Sequence, residues 1–203
     1  VSLSITAEAG STVQVYANGV LLGTATEGSG ANAGTFTLTT SALQDGSYSV
    51  TATARDAAGN VSQVSSAQSF IVDTVAPSVP VITSGTLTND ATPVLSGTAE
   101  VGSTVTVVFA GATYTVTATN GTWSVDTGTA TPASGTLSVG GSNNVSVTAR
   151  DAAGNTSAAA TQTLAVDTAA PTVAITDNQS GTANGDIIYT ITFSETVSGF
   201  TAD

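Results

Sequence analysis

Apolar and polar residues alternate along short stretches of the chain, and turn-forming residues separate these stretches. Residues 1–7 (VSLSITA) place Val, Leu and Ile at alternate positions, with Ser and Thr between them. A period of two is typical of a β-strand that buries one face. The same pattern predicts five further strands in the first third of the chain, at residues 12–17, 20–26, 35–39, 49–54 and 64–72.

The pattern returns from residue 79 and is more complete there. It predicts seven strands, at residues 79–83, 94–99, 104–110, 113–119, 122–125, 144–149 and 161–166, with a loop at 128–135. Asn18-Gly19 and Asn120-Gly121 separate neighbouring strands, and an Asn-Gly pair favours a tight hairpin turn. About seven short strands with frequent turns indicate a β-sandwich of the immunoglobulin type.

One aromatic residue supports this prediction. Tyr48 follows an Asp-Gly turn at the start of the strand before the last one in the first set. This position resembles the tyrosine corner of Greek-key sandwiches, in which a tyrosine hydroxyl bonds to backbone a few residues upstream.

Three strings occur twice, in the same order. TARDAAGN stands at residues 53–60 and again at 148–155, which is 95 residues later. AEAGSTV at 7–13 returns as AEVGSTV at 99–105, and DTVAP at 73–77 returns as DTAAP at 167–171. Since the spacing is close to the size of a whole domain, we interpret the strings as marks of tandem domains.

We therefore predict an all-β chain of tandem immunoglobulin-like Greek-key β-sandwiches in a linear array. Residues 1–74 are predicted to form a domain that lacks its first strand, residues 75–168 a complete domain, and residues 169–203 the N-terminal part of a third. The third part has two predicted strands, at 172–176 and 187–194. The sequence is expected to be a window from a longer array. Alternatively, a neighbouring chain supplies the missing strand to the first domain.

The charged residues narrow the candidate functions. The chain has 14 acidic residues and two basic ones, no His and no Cys, and a formal net charge of −12. Such a chain repels phosphate, so nucleic acid is not an expected partner. No apolar run is long enough for a membrane helix, so direct membrane insertion is not expected. Divalent cations are the natural counter-charge. Both basic residues, Arg55 and Arg150, are expected to pair with a nearby carboxylate.

Six of the 14 acidic residues fall in the repeated strings and a seventh, Glu195, keeps their register, and together they suggest a metal site. In an immunoglobulin-like sandwich, the AEVGS loop, the RDAAGN loop and the incoming linker belong to one end of the domain. The order of the strings would bring Asp73, Glu100 and Asp151 together, with Asn155 as a further candidate ligand. Asp167 with Glu195, and Glu8 with Asp56, would each form half of a neighbouring site. Hard oxygen ligands without His or Cys favour Ca²⁺, and Mg²⁺ less well.

Each acid also has a plainer interpretation. Asp56 and Asp151 can cap a tight turn through their own backbone. Glu8 and Glu100 can be solvated turn residues, and Asp73 and Asp167 can keep the linker soluble. The recurrence of all three positions at one predicted end favours the cation.

The repeated strings, together with FSETVSGF near the end of the chain, resemble the bacterial immunoglobulin-like repeats of large type I-secreted adhesins and biofilm-associated proteins. The resemblance implies an extracellular extender region on the bacterial surface or in the biofilm matrix, with calcium at the domain junctions. Carried over to this chain, the implied ligands are Asp73, Glu100 and Asp151, followed by Asp167 and Glu195.

The function expected from these observations is a structural spacer, made rigid by calcium and by contacts between neighbouring repeats. An enzyme is not expected, because no Ser/His/Asp set and no cofactor loop can be identified. Two alternatives stay open. One is a self-assembling matrix fibre or surface-layer subunit, with other copies of the chain as partners. The other is a module that binds a carbohydrate or a host protein.

Overall fold

The computed structural model describes residues 1–178, 180–182 and 184–198. The chain divides into two compact units. Unit 1 consists of Val1–Pro77 and the loop Arg150–Thr156, and unit 2 consists of Ser78–Ala149 and the residues from Ser157 onwards. The described residues form β-strands, loops and one short 3-10 turn at Gly30–Asn32, without an α-helix.

Unit 1 contains six strands: β1 (Ser2–Thr6), β2 (Thr12–Ala17), β3 (Val20–Glu27), β4 (Thr35–Thr39), β5 (Gly46–Arg55) and β6 (Gln68–Val72). Their order in the sheet is β1-β4-β3-β2-β5-β6, and neighbours are antiparallel. β3 connects the two halves of this sheet, because its beginning pairs with β2 and its end pairs with β4. β1 and β6 are the edge strands of this sheet.

The hairpin turns form as the Asn-Gly pairs predict. Asn18 and Gly19 have φ values of 50° and 79°, and Asn120 and Gly121 have 53° and 80°. Positive φ at both central residues defines the tight turn whose twist matches the flanking strands, and Asn and Gly adopt it at low cost.

The core of unit 1 is small. Its fully buried cluster consists of Val13, Val15, Ala25 and Phe36, with half-buried residues from β1 and β5 around it. Tyr48 donates a hydrogen bond from its hydroxyl to the carbonyl of Gln44 at 2.8 Å, as a tyrosine corner requires. Its ring stacks on Phe70 with centroids 5.4 Å apart.

Unit 2 contains the remaining strands. They are β7 (Val81–Ile82), β8 (Leu87–Thr88), β9 (Val94–Thr98), β10 (Thr104–Phe109), β11 (Ala112–Thr117), β12 (Thr122–Asp126), β13 (Ser134–Gly135), β14 (Ser142–Arg150), β15 (Ala160–Val166), β16 (Val173–Asp177) and β17 (Tyr189–Phe193). One sheet has the order β12-β9-β7, and a second has β13-β11-β10-β14-β15-β8. β16 and β17 form a separate antiparallel pair.

The two larger sheets of unit 2 enclose a cluster of 13 buried apolar residues among those described. The cluster is built from alternate residues of each strand, as the period of two predicts. Trp123 on β12 lies across from Gly97 on β9. A Cβ on Gly97 would meet the Val81 carbonyl and, at 2.7 Å, the Trp123 ring. Glycine at this position therefore lets β7 and the indole pack closely.

Most predicted strands are present, although several begin or end a few residues from the predicted bounds; β5, for example, begins at Gly46 instead of residue 49. β6 begins at Gln68, although the alternation suggests residue 64. Ahead of it, the hydroxyls of Ser62 and Ser65 accept the N–H groups of Ala54 and Ala52, which replaces regular strand pairing. The two-residue strands β8 and β13 were not predicted, and β13 lies at the end of the predicted loop at 128–135. The first domain was predicted to lack an opening strand. In unit 2 the corresponding opening strand is present, as the two short strands β7 and β8.

Candidate functional site

The first RDAAGN loop is closed by an aspartate and an asparagine. Asp56 accepts the Asn60 backbone N–H on Oδ1 and the Asn60 side-chain amide on Oδ2, both at 2.8 Å. The Asn60 side chain, followed by the Asn60 backbone N–H, lowers the pKa of Asp56 because these donors stabilise the ionised carboxylate.

The second RDAAGN loop repeats this arrangement. Asp151 accepts the N–H groups of Gly154 at 2.7 Å and Asn155 at 2.9 Å on Oδ1, and the Asn155 amide at 2.9 Å on Oδ2. The Asn155 side chain is the largest cause of the lowered pKa of Asp151. Both loops are therefore capped turns, which is the plainer interpretation of these two aspartates.

Among the residues that the structure describes, the arginines of the two loops contact no carboxylate, which corrects the sequence expectation. Nε of Arg55 donates to the Gly59 carbonyl at 3.4 Å, and Nε of Arg150 donates to the Gly154 carbonyl at 3.2 Å. Each guanidinium lies over a glycine with positive φ, where a Cβ would be 3.1 Å or less from the guanidinium nitrogen. The Arg, Asp, Gly and Asn of the string RDAAGN thus all take part in closing the turn.

Glu8 and Asp56 line one cavity of about 420 Å³ in unit 1, together with Ser11 and Asn60. The AEAGS loop and the RDAAGN loop of this unit consequently lie at the same end, as the immunoglobulin topology predicts. The hydroxyl of Ser11 is buried there without a hydrogen-bond partner among the described residues.

The linker aspartate Asp73 and the second RDAAGN loop both belong to unit 1. The Asn155 amide donates to the backbone carbonyl of Asp73 at 3.0 Å, in addition to its bond to Asp151. The carboxylate of Asp73 accepts the Val75 N–H at 3.0 Å, which forms a turn within the linker. The structure thus joins three of the predicted ligands, Asp73, Asp151 and Asn155, through one side-chain amide.

The remaining predicted ligands lie in unit 2. Glu100 lies in the turn between β9 and β10, where its carbonyl accepts the Ser103 hydroxyl at 2.7 Å. Asp167 accepts the Ala169 N–H at 3.0 Å, which repeats the linker turn of Asp73. Glu195 is exposed shortly after β17. Gly199 and Phe200 of the FSETVSGF string lie outside the described residues.

The oxygen atoms that unit 1 offers at these loops are of the types that a hard cation binds. They are carboxylate, amide and carbonyl oxygens, which calcium prefers. Within either unit, however, the described residues contain no group of three acidic side chains that could hold a metal ion by themselves. Each aspartate of the strings already accepts hydrogen bonds, although a carboxylate has about four acceptor positions.

Three polar residues with structural roles, Ser62, Ser157 and Gln162, were missed by the sequence reasoning. Ser62 and Ser157 each accept a backbone N–H from the preceding strand. Gln162 on β15 donates to the carbonyls of Ser84 and Gly85, and Gln68 stands at the matching place on β6. The signal was available, since each pair falls in the register of the repeated strings.

The profile of the bacterial Ig-like domain family matches residues 2–74 and again 81–168. The two matches cover most of the chain, and the chain therefore belongs to the bacterial Ig-like domain family. Its fold is accordingly a tandem of immunoglobulin-like sandwiches.

Three solved structures are similar to the chain. The fibronectin(III)-like modules of Clostridium thermocellum CbhA share 17% identity at a TM-score of 0.47, over 81% of this chain and 85% of that one. A tetra-tandem repeat in the extending region of a large adhesion protein shares 21% identity at a TM-score of 0.39, over 94% of this chain and 58% of that one. A 1.5-MDa bacterial ice-binding adhesin shares 25% identity at a TM-score of 0.40, over 87% of this chain and 61% of that one. The chain thus spans less than two thirds of the latter two.

No curated protein sequence matches the chain. Among the described residues, no helix has the length and apolar character needed to cross a membrane.

Proposed function

We propose that the chain is a spacer from a bacterial cell-surface adhesin, in which calcium bound at the junction of successive domains makes the array rigid. Membership of the bacterial Ig-like domain family supports the bacterial origin and the repeated architecture. The extracellular location, on the cell surface or in a biofilm matrix, and export by type I secretion are parts of the same proposal.

The observation that carries the proposal is a set of hydrogen bonds within unit 1. Asn155, from the RDAAGN loop of the second repeat, hydrogen-bonds both to Asp151 of the same loop and to the linker residue Asp73. Two oxygens from separate parts of the chain therefore approach one polar side chain. Asn155 can present its amide oxygen instead of its N–H groups, so the same three residues can offer oxygen ligands to a cation.

The proposed ligands are Asp73, Asp151 and Asn155, with Glu100 added from the repeat register. Asp167 with Glu195, and Glu8 with Asp56, would contribute to the next junctions on either side. Bound calcium would supply two positive charges to a chain whose net charge is −12. It would also restrict the linker, because ligands from both sides of the linker are held by one ion.

Extracellular modules bind calcium with dissociation constants of about 10⁻⁴–10⁻³ M. Rigidity would then be gained outside the cell, where calcium is abundant, and would be absent during export.

Small-angle X-ray scattering with calcium and with chelator tests the mechanical part. We expect a larger maximum dimension and a narrower distribution of distances with calcium. An unchanged scattering curve would contradict the proposal. Isothermal titration calorimetry should detect calcium binding in the wild-type chain and its loss in Asp151→Asn.

A matched control distinguishes calcium binding at a specific site from calcium binding that depends only on the net charge. Asp126 caps a turn at Gly128, as Asp151 caps the RDAAGN loop, but Asp126 lies outside the repeated strings. Asp126→Asn removes one charge in the same way and should leave calcium binding and scattering unchanged. Equal loss in both variants would indicate unspecific binding of counter-ions.

A further inference from the structure

The linker at residues 73–77 begins with a threonine that a distant carboxylate holds. Asp45, immediately before β5, accepts the Thr74 N–H on Oδ1 at 3.0 Å. The Thr74 hydroxyl donates to the same carboxylate, 2.9 Å from Oδ1 and 3.1 Å from Oδ2. The two residues are 29 positions apart in the sequence, so these bonds attach the linker to the body of unit 1. Hydrogen bonds to an ionised acceptor are stronger than those between neutral groups.

The neighbours of Thr74 in the linker are held as well. The Asn155 amide donates to the Asp73 carbonyl at 3.0 Å, and the Asp73 carboxylate accepts the Val75 N–H at 3.0 Å. Side chains thus contact three consecutive linker residues, and all of these groups belong to unit 1. The bonds are made by protein groups alone, so they can order the linker before a cation binds.

The matching linker in unit 2, at residues 167–171, has no such carboxylate. Gly140 stands at its place, 95 residues later, which is the spacing of the RDAAGN strings. Thr168 corresponds to Thr74, and its N–H and hydroxyl have no acceptor among the described residues. The turn within the linker is kept, since Asp167 accepts the Ala169 N–H at 3.0 Å. The two linkers therefore share the turn and differ in the carboxylate that holds the threonine.

The backbone at Gly140 can accept a side chain. No atom of the described residues lies within 4 Å of the position that a Cβ would take there, and its φ lies outside the left-handed region. Aspartate can therefore replace this glycine without backbone strain, and the difference between the two linkers can be exchanged by experiment.

We propose that Asp45 is a positioning residue for the linker: it fixes Thr74 and thereby holds Asp73 in place for the cation of the proposed function. The role of Asp45 in calcium binding rests on that proposed function, whereas its role in ordering the linker does not. A linker that is already held loses less conformational entropy when an ion binds. The residue at the position of Asp45 then sets how far each linker of an array is ordered when calcium is scarce.

NMR relaxation in chelator tests the ordering of the linker. The N–H order parameter of Thr74 should be about 0.85, as in a rigid backbone, and should fall below about 0.6 in Asp45→Ala. Gly140→Asp should raise the order parameter of Thr168, because it supplies the acceptor that this linker lacks. An unchanged order parameter in either exchange would overturn the proposal, whether or not the chain binds calcium.

Titration calorimetry with calcium chloride tests the effect on the cation. Asp45→Ala should weaken binding about three- to tenfold, since the ion must then order the linker itself. Asp45→Asn removes the charge but keeps an oxygen acceptor for Thr74, so it should preserve the order of the linker and most of the affinity. Equal losses of affinity in the two variants would assign the effect to charge and overturn the positioning role. A chain that binds no calcium but keeps Thr74 ordered would contradict the proposed function alone.

Asp90 offers a control with the same local geometry. It accepts the N–H of Thr92 at 2.8 Å and the Thr92 hydroxyl at 3.1 Å, but it lies outside both linkers in the sequence. Asp90→Ala removes the same charge and the same kind of contact, and it should leave the order of Thr74 and the calcium titration unchanged. Circular dichroism checks that each variant is folded. A loss of order at Thr74 in Asp90→Ala equal to that in Asp45→Ala would contradict a specific role for Asp45.

Discussion

In unit 2, Trp123 packs across Gly97, whereas the corresponding strands of unit 1 bring Phe36 beside Ile5. The larger aromatic ring is combined with the smallest residue, and the smaller ring with a branched aliphatic one. The smaller ring of Phe36 offsets part of the volume that Ile5 adds relative to Gly97, and a packed core tolerates such compensated exchanges better than single ones. The comparison teaches that neither position can be interpreted alone, since the pair is the unit of packing.

The residue at the position of Gly97 or Ile5 also affects whether another strand can pack against that part of the sheet. Gly97 leaves space for β7, and β7 helps to enclose a cluster of 13 buried residues. In unit 1, Ile5 stands at the matching place, and the fully buried cluster has four residues among those described.

The largest effect is expected from copying the residue of unit 1 into unit 2. Gly97→Ile should destabilise unit 2 by about 3 kcal/mol, because the side chain would displace the Val81 carbonyl or the indole. Trp123 is the sole tryptophan, so its fluorescence during urea denaturation reports this unit.

Two variants sharpen this test. Adding Trp123→Phe should recover part of the loss when unfolding is followed by circular dichroism, because it restores the pairing of unit 1. No atom of the described residues lies within 4 Å of the position that a Cβ on Gly140 would take, so Gly140→Ile should change stability little. Equal losses at positions 97 and 140 would show that close packing at Gly97 is not the cause.

A smaller effect is expected at the matched serines. Ser157 is buried and accepts the Ala149 N–H, whereas Ser62 accepts the Ala54 N–H in an exposed setting. Ser157→Ala should cost about 1–3 kcal/mol, since a buried N–H loses its partner. Ser62→Ala should cost less than about 0.5 kcal/mol, because water replaces the hydroxyl. Urea denaturation of both variants measures the difference, and equal costs would contradict it.

The smallest effect is the loss of stability that is expected when the pH is lowered. The pKa values of Asp56 and Asp151 are lowered, so the folded chain keeps these carboxylates ionised more readily than the unfolded chain does. Their contribution to stability is present above the unfolded pKa, near 3.9, and is lost as the pH falls through the folded values. Asn60→Ala and Asn155→Ala should each raise the pKa of the aspartate in the same loop only. NMR titration of the carboxyl carbons measures this, and a shift in both loops would contradict it.

Much of the fold could be predicted because it depends on local rules. The alternation located most strands of both units, and the two Asn-Gly pairs fixed their turns. β8 and β13 could not be found in this way, since two residues are too few to show a period. They exist because distant strands offer backbone partners, as β15 does for Leu87 and Thr88.

Part of the geometry of the candidate site followed from the strings, whereas its hydrogen bonds did not. The strings put Glu8 and Asp56 at one end of the domain, where both line one cavity, and their role as metal ligands stays a prediction. They did not reveal that Arg55 would bond to the Gly59 carbonyl, because that contact depends on the glycine conformation rather than on charge. Whether a cation joins Asp73 to Asp151 remains a prediction, and a recurring acid alone cannot distinguish a ligand from a turn cap.

The two Asn-Gly turns have unequal chemical lifetimes. In such a pair the following backbone nitrogen can attack the asparagine amide, which slowly converts asparagine to aspartate or isoaspartate. Asn18 is held against this reaction, because its side chain donates to the Ser47 carbonyl and accepts the Ser49 N–H. Asn120 has no such bonds among the described residues and should deamidate first during storage. Peptide mass spectrometry can follow this ageing, which would place one more negative charge beside β12.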